Sequence, residues 1–324
     1  MRFSPWSPSL LGATVDFWNR SFASRRNFFP LTPPLFRGRI LRREGPEGFD
    51  PRRFIVAREG KDIVGFIHVG ERPESLCRLL DPQWRSGTQG YVAFLFVDPG
   101  HRRRGLGTEL WHRGLGQLKA SRQVVLDGQC FTPYYGNSEG PFTPFWGTPE
   151  GVSVDWSDSP TKKFLARKGF APRFKGVQLA LDLCGPSGSL DDAGRALARR
   201  SMGLEVHRQS YPELGHAVRE RRPMAAGLDF EVVVAVYRKK VAGLIAYYPM
   251  KEVRPGLFGI YEAVVRPEWR GKSLGRQLLT AARDRMRGQG GTSCEVLTLP
   301  ELSPAACKLY AKEGFIPVHS WAIY

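Results

Sequence analysis

Cysteine is scarce and scattered in this chain. The five among 324 residues, Cys77, Cys130, Cys184, Cys294 and Cys307, form no Cys-x-x-Cys pair and make an odd number, which argues against a disulfide framework or a zinc ribbon and fits reduced thiols in a cytoplasm. The six histidines (His68, His101, His112, His207, His216 and His319) have no metal-ligand spacing. No metal is expected, and they read as ordinary surface or core residues. No apolar run approaches the ~20 residues that span a bilayer. The first twenty residues, with an acid at Asp16 and no long apolar stretch, make no secretion signal. The expectation is a soluble cytoplasmic protein without a membrane partner. Acidic residues are the minority, 31 Asp and Glu against 48 Lys and Arg, for a formal charge of +17. The excess is mostly arginine, 36 Arg against 12 Lys, spread along the chain. Its tightest groups are Arg102-Arg103-Arg104 and Arg219-Glu220-Arg221-Arg222, and there is no basic tail or low-complexity tract. This favours solubility and a polyanionic small ligand over a nucleic-acid partner.

What is present is enough for real cores: 42% hydrophobic and 12% aromatic residues, over a length that suggests two domains. The chain also repeats itself. Residues 54–70 and 231–248 each read as two β-branched apolar runs about a polar tip, the signature of a hairpin. A third apolar run follows each, Tyr91–Val97 and Gly259–Val265, then an Arg/Gly-rich turn and an amphipathic helix, Thr108–Ala120 and Arg276–Arg287. Last, Phe164–Phe170 matches Leu309–Phe315, each a helix ending at a glycine and entering a strand. Gly107 to Gly169 is 62 residues (169 − 107) and Gly275 to Gly314 is 39 (314 − 275). The first repeat therefore carries 23 more (62 − 39), in the aromatic, Gly/Pro-rich stretch Asp127–Pro160. Its rings, Tyr134, Tyr135, Phe142, Phe145 and Trp146, would line an acceptor pocket or cap a core edge. The boundary is expected in Cys184–Gly188, with domains at 1–183 and 205–324 and a linker at 184–204. Within it, Ser189, Asp191 and Asp192 open a short helix. Ser210–Glu213 reads as a capping box opening a helix through Arg222.

A turn that frees several backbone N–H groups at a helix N-terminus binds phosphate, because orphan donors and the helix dipole both favour negative charge. Gly105 and Gly107 allow close backbone approach and Arg102, Arg103 and Arg104 add charge. The arrangement occurs twice, each time after Val-x-Pro. Gly271-Lys272-Ser273 is no P-loop, since that motif needs a glycine where Arg266 stands. Neither turn follows the first strand of a βαβ unit, as a dinucleotide fingerprint would.

Val97-x-Pro99-x-x-Arg102-x-x-Gly105-x-Gly107 and Val265-x-Pro267-x-x-Arg270-x-x-Ser273-x-Gly275 resemble the pattern of the GNAT superfamily of acetyl-CoA-dependent N-acyltransferases, with Ser273 where the family usually has glycine. The resemblance covers roughly 54–183 and 205–324 and is closest to tandem two-domain members such as mycothiol synthase. It implies an α/β fold of two tandem domains, each a twisted mixed β-sheet flanked by helices and splayed where the cofactor inserts. It implies a CoA pyrophosphate held by Val97, Arg102–Gly107 (with Leu106) and Thr108, and by Arg270, Gly271, Lys272, Ser273, Leu274, Gly275 and Arg276. Oxyanion donors would be N–H groups near Val264 and Val265, beside a strand bulge. The family's acid is often a Tyr four residues before the Gly-Phe pair. This is Tyr310 in the second repeat but Leu165 in the first. Ser303 stands where the family often has an Asn that contacts CoA. An acid in the fourth strand commonly serves as base, here Glu262, matched by Phe94 in the first repeat. The second repeat is thus expected to catalyse acetyl transfer to a primary amine, as a monomer. The alternatives are a non-catalytic acyl-CoA-binding scaffold, or a basic nucleic-acid-associated protein.

Overall fold

A computed structural model describes residues 1–41, 49–80, 83–118, 121–126, 145–185, 188–210 and 229–324. They fall into two units, one of the described residues up to 126 with Phe145–Gly147, the other Thr148–Tyr324. In the first, β1 (Arg2–Pro5), β2 (Phe54–Glu59), β3 (Asp62–Arg72), β4 (Thr88–Val97) and β5 (Ser121–Leu126) form a sheet in that order. Pairing of Glu59 with Asp62 leaves a two-residue tip, Gly60-Lys61, with Gly60 at φ +59°. Strand β4 runs parallel to β5 because α4 (Leu106–Leu115) carries the chain back between them. Helices α1 (Leu11–Phe22), α2 (Pro33–Arg39) and α3 (Glu74–Leu80) complete the unit.

The second unit repeats the plan. Strands β9 (Asp229–Tyr237) and β10 (Lys240–Pro249) are the expected hairpin, followed by β11 (Leu257–Val265), α7 (Leu274–Gly288) and β12 (Ser293–Thr298). The other elements are β6 (Val154–Asp155), α5 (Ser159–Arg167), β7 (Phe174–Asp182), α6 (Leu190–Ala198), β8 (Met202–Ser210), α8 (Pro304–Lys312) and β13 (Ile316–Ile323). The eight strands order as β6-β13-β7-β12-β11-β10-β9-β8, with β11 and β12 parallel. The core lies between the sheet and α6, α7 and α8, built from Leu197, Ile245, Tyr247, Phe258, Ile260, Leu278, Leu279 and Met286. Glu231 at the end of this face accepts from the Tyr247 hydroxyl and the Arg285 Nε, each at 2.6 Å, and so fastens the last turns of α7 to β9 and β10.

Equivalent glycines mark where each long helix crosses its sheet. A side-chain carbon at Gly65 would meet the Phe96 carbonyl oxygen at 2.9 Å and Leu110 Cδ1 at 3.2 Å. At Gly243 the neighbours are the Val264 oxygen at 2.8 Å and Leu278 Cδ1 at 3.1 Å. The expected C-terminal glycines also hold, Gly169 at φ +87° and Gly314 at φ +88°. Ser189 and Asp192 form the reciprocal cap of α6.

The compact units do not divide where the sequence suggested. Strand β7, inside the expected bounds 1–183 but with its sheet left open by the sequence, lies between β12 and β13 in the second sheet, with Val177–Asp182 along β12 and Phe174–Ala180 along β13. Helix α5 goes with it, and α6, inside the expected linker, belongs to the second core. The described division therefore falls at 147/148 rather than between 183 and 205. Hydrophobic pattern defines a strand but not the sheet it joins, and here the first repeat contributes its last strand to the second. The helix expected from 210 to 222 lies outside the described residues beyond Ser210, which ends β8. So do the aromatics 131–142.

Candidate active site

In the second unit β11 and β12 pair only from Leu257–Ser293 to Ile260–Val296. Beyond that, β12 follows β7 and β11 follows β10, so the two parallel strands separate. The Arg266 N–H donates to the Ala242 oxygen at 2.9 Å. Ladder alternation back along the strand directs Val264 to Leu244, and turns the N–H groups of Ala263 and Val265 into the opening. Of the two residues near which donors are expected, Val265 thus directs its amide into the opening and Val264 directs its own to β10. The bulge falls at Tyr261, between the pairs Ala246–Glu262 and Tyr247–Ile260. It puts Tyr261 and Glu262 on one face in succession, and the Tyr261 ring lies 4.9 Å from Phe230. No alternation in the sequence signals this, because a bulge is where alternation fails.

The two Arg/Gly turns share one backbone. Arg103 (φ +64°) and Gly105 (φ +80°) correspond to Gly271 (φ +73°) and Ser273 (φ +59°). Each turn has two left-handed positions of which one is glycine, at opposite places, so the serine at 273 is offset by the glycine at 271. Such alternation points successive N–H groups into one concavity, an anion nest, at the N-terminus of α4 or α7. The first arginine of each turn is used internally: Arg102 Nε donates to the Val97 oxygen at 2.9 Å and Arg270 Nε to the Val265 oxygen at 3.0 Å. Lys272 folds back, its Nζ donating to the Glu268 oxygen at 3.0 Å and lying 4.8 Å from the Trp269 ring centre. Its carbonyl, turned outward, accepts from Arg200. Leu106 and Leu274 are buried and anchor their helices, whereas Arg103, Arg104, Thr108, Gly271, Ser273 and Arg276 are exposed. A non-glycine residue in the left-handed region costs about 1–2 kcal/mol. Ser273→Gly should therefore raise the urea midpoint of the second unit by an amount equivalent to about 1 kcal/mol, and a lowered midpoint would show that Ser273 is not strained.

Tyr310 sits on α8, 3% exposed, its ring centre 5.0 Å from Phe315. Burial, with lesser contributions from Cys294, Glu262 and Glu150, pushes its hydroxyl well above the usual phenol value. It is therefore a neutral donor throughout the physiological range. Glu262, half-buried, adds its negative charge to that shift. Glu150, from the stretch before β6, adds to the same shift and is no candidate on sequence grounds. Neighbouring Cys294 is fully buried and its thiol is pushed up to about 12, by burial above all, so it is no nucleophile. Gly275 packs where a side-chain carbon would lie 3.2 Å from Leu309 Cδ2. The first turn of α7 thus rests on the residue next to Tyr310. Ser303 precedes α8, exposed, its hydroxyl not capping the helix.

The first unit keeps the strand bulge and the turn but not the acid. Asp98 N–H donates to the Val64 oxygen at 2.9 Å, and the bulge at Ala93 matches that at Tyr261. Phe94 therefore stands where Glu262 does. Around it are Trp18 at 5.2 Å, Phe22 at 5.5 Å and Phe66 at 5.5 Å. Phe145 and Trp146, left open between pocket and core, are buried in this ring cluster. Leu165 lies in the second unit, on α5. Among the described residues no group of three or more His, Cys, Asp or Glu is placed to hold a metal, and no helix is long and apolar enough to cross a membrane.

The model of the acetyltransferase (GNAT) family matches residues 18–129 and 201–315. A search of the curated proteins gives no match. Among solved structures, the glucosamine N-acetyltransferase region of a fungal multi-domain β-N-acetylglucosaminidase superposes with TM-score 0.65 at 16% identity, over 99% of this chain and 37% of that one. The chain thus spans little more than a third of that relative. A tandem GNAT protein from the clavulanic acid biosynthesis pathway gives 0.63 at 17% identity, over 99% and 96%. An N-acetyltransferase from Sphaerobacter thermophilus gives 0.57 at 15%, over 99% and 93%. At these identities the superpositions show the fold. The twice-matched family model shows the membership: this chain belongs to the acetyltransferase (GNAT) family, with two GNAT domains in tandem.

Proposed function

We propose that the second unit transfers an acetyl group from acetyl-CoA to a primary amine by direct attack on the thioester. The observation that carries this reading is the meeting of the nest, the amides of Ala263 and Val265 and the helix of Tyr310 at one strand opening. The residues suit acetyl-CoA: the nest at Arg270–Gly275 for a pyrophosphate, and fixed amides for a carbonyl oxygen that gains charge. Acetyl-CoA supplies the activated acetyl group. An alkyl ammonium titrates near ~10 and must lose a proton to attack, and Glu262 is the base we assign. Tyr310 is the donor to the departing sulfur. The first unit, with Phe94 at the base position, serves without catalysing. A monomeric cytoplasmic enzyme remains the proposal.

Calorimetric titration with acetyl-CoA should show saturable binding, and adding a panel of primary amines should release CoA thiol above the hydrolysis blank. No binding overturns the proposal. Binding without release on any amine makes the chain an acyl-CoA-binding protein instead.

A further inference from the structure

The C-terminal turn of α8 carries an ion cluster whose acid, Glu313, the reaction as proposed does not use. Glu313 Oε1 is 2.9 Å from Arg276 Nε, and Oε2 is 3.6 Å from Arg283 Nη1. Arg283 is deeply buried, with a side chain 8% exposed, and its Nε has no hydrogen-bond partner. Glu313 is therefore the acid that offsets an otherwise unbalanced guanidinium inside the core. Its backbone closes α8: the Glu313 N–H donates to the Leu309 oxygen at 3.0 Å and to the Tyr310 oxygen at 3.1 Å, and the Phe315 N–H donates to the Tyr310 oxygen at 3.0 Å. The Phe315 ring rests on that of Tyr310. The turn 313–315 thus holds Tyr310 by backbone and by ring. What holds the turn is Arg276, in the first turn of α7 directly behind the nest, and Arg283, two turns further along the same helix.

We propose that Glu313 is a positioning residue, which locks the turn carrying Tyr310 to the helix that follows the cofactor loop. This inference rests on the acetyltransferase reading. A carboxylate shared between two arginines of one helix fixes both its distance and its rotation, so the Tyr310 hydroxyl keeps one place relative to the nest. The neutral amide of Glu313→Gln keeps the size of the side chain and loses both charge pairs. Tyr310 then loses its fixed place while the nest stays whole.

Two measurements test this on the full-length chain. Hydrogen exchange at the Phe315 amide should quicken at least tenfold in Glu313→Gln, with the amides of Leu278 and Leu279 in α7 unchanged. In acetyl transfer the variant should lose about tenfold in kcat with the acetyl-CoA dissociation constant within twofold. That loss should vanish when the same change is made in Tyr310→Phe, because residues acting through one group are not additive. Glu313→Asp, which keeps the charge but reaches less far, should fall between the two and serves if Glu313→Gln does not fold. Unchanged exchange at Phe315 overturns the anchor. Quickened exchange with full kcat, or an equal loss in the Tyr310→Phe background, overturns the positioning role. A wild-type chain that transfers to no amine overturns the acetyltransferase reading, and exchange still reports on the anchor by itself.

Discussion

Tyr310→Phe should bind acetyl-CoA within about twofold of wild type and lose about 10²–10⁴-fold in kcat, the range a positioned general acid contributes. The substitution removes one oxygen and leaves the ring against Phe315, so stability should scarcely change. The pH profile gives a second readout. Burial raises the Tyr310 hydroxyl above its ordinary value of 10, so its proton is lost only at higher pH than in a free phenol. Tyr310 should therefore set no alkaline fall in kcat below about pH 10, and any fall that survives in Tyr310→Phe belongs to another group. Wild-type kcat in the variant would remove Tyr310 from the chemistry and leave the departing thiolate to solvent. An acid limb shared by wild type and Tyr310→Phe, and abolished by Glu262→Gln, would assign the base independently.

Much of this site is legible in the sequence, because the elements that carry it are local. The hairpins, the strand before each turn and the helix after it are set by apolar period and by the punctuation of Val-x-Pro and glycine. These elements formed where expected, although the first helix ends at Leu115, short of the expected Ala120. The pairing of Tyr310 with a Gly-Phe step is local too. What is not legible is every feature that depends on a partner distant in sequence. The bulge at Tyr261 exists only relative to β10. The shared carboxylate of Glu313 needs α7 and α8 side by side. The placement of β7 between β12 and β13 is a choice between two sheets, made by edges that the sequence does not show. Ser273 lies between the two cases: its departure from glycine is visible in the sequence, but its match with Gly271, the reverse of Arg103 with Gly105, needs the dihedral angles.

The aromatic richness of the first repeat was legible as composition and ambiguous as structure, and the outcome makes a testable distinction between the two units. Trp18→Ala should destabilise the first unit by about 3–5 kcal/mol, the usual cost of emptying a large aromatic from a core. Trp18 is 1% exposed and is ringed by Phe22 at 4.6 Å, Phe94 at 5.2 Å, Phe145 at 5.6 Å and Phe66 at 6.2 Å. Those rings fill the face on which the second unit presents Glu262, so the space an acceptor would need is here packed solid. At a denaturant slope of about 1–3 kcal/mol/M in urea, the loss should move the unfolding transition of the first unit down by a molar or more. Acetyl transfer measured below that transition should persist, because none of the assigned catalytic groups lies among these rings. A shift of only a few tenths molar would mean that the cluster is loosely packed and able to open. The first unit would then regain its claim to a substrate. A large shift with turnover intact would establish that the first repeat gave up its acceptor face to become a core, keeping the nest but not the chemistry.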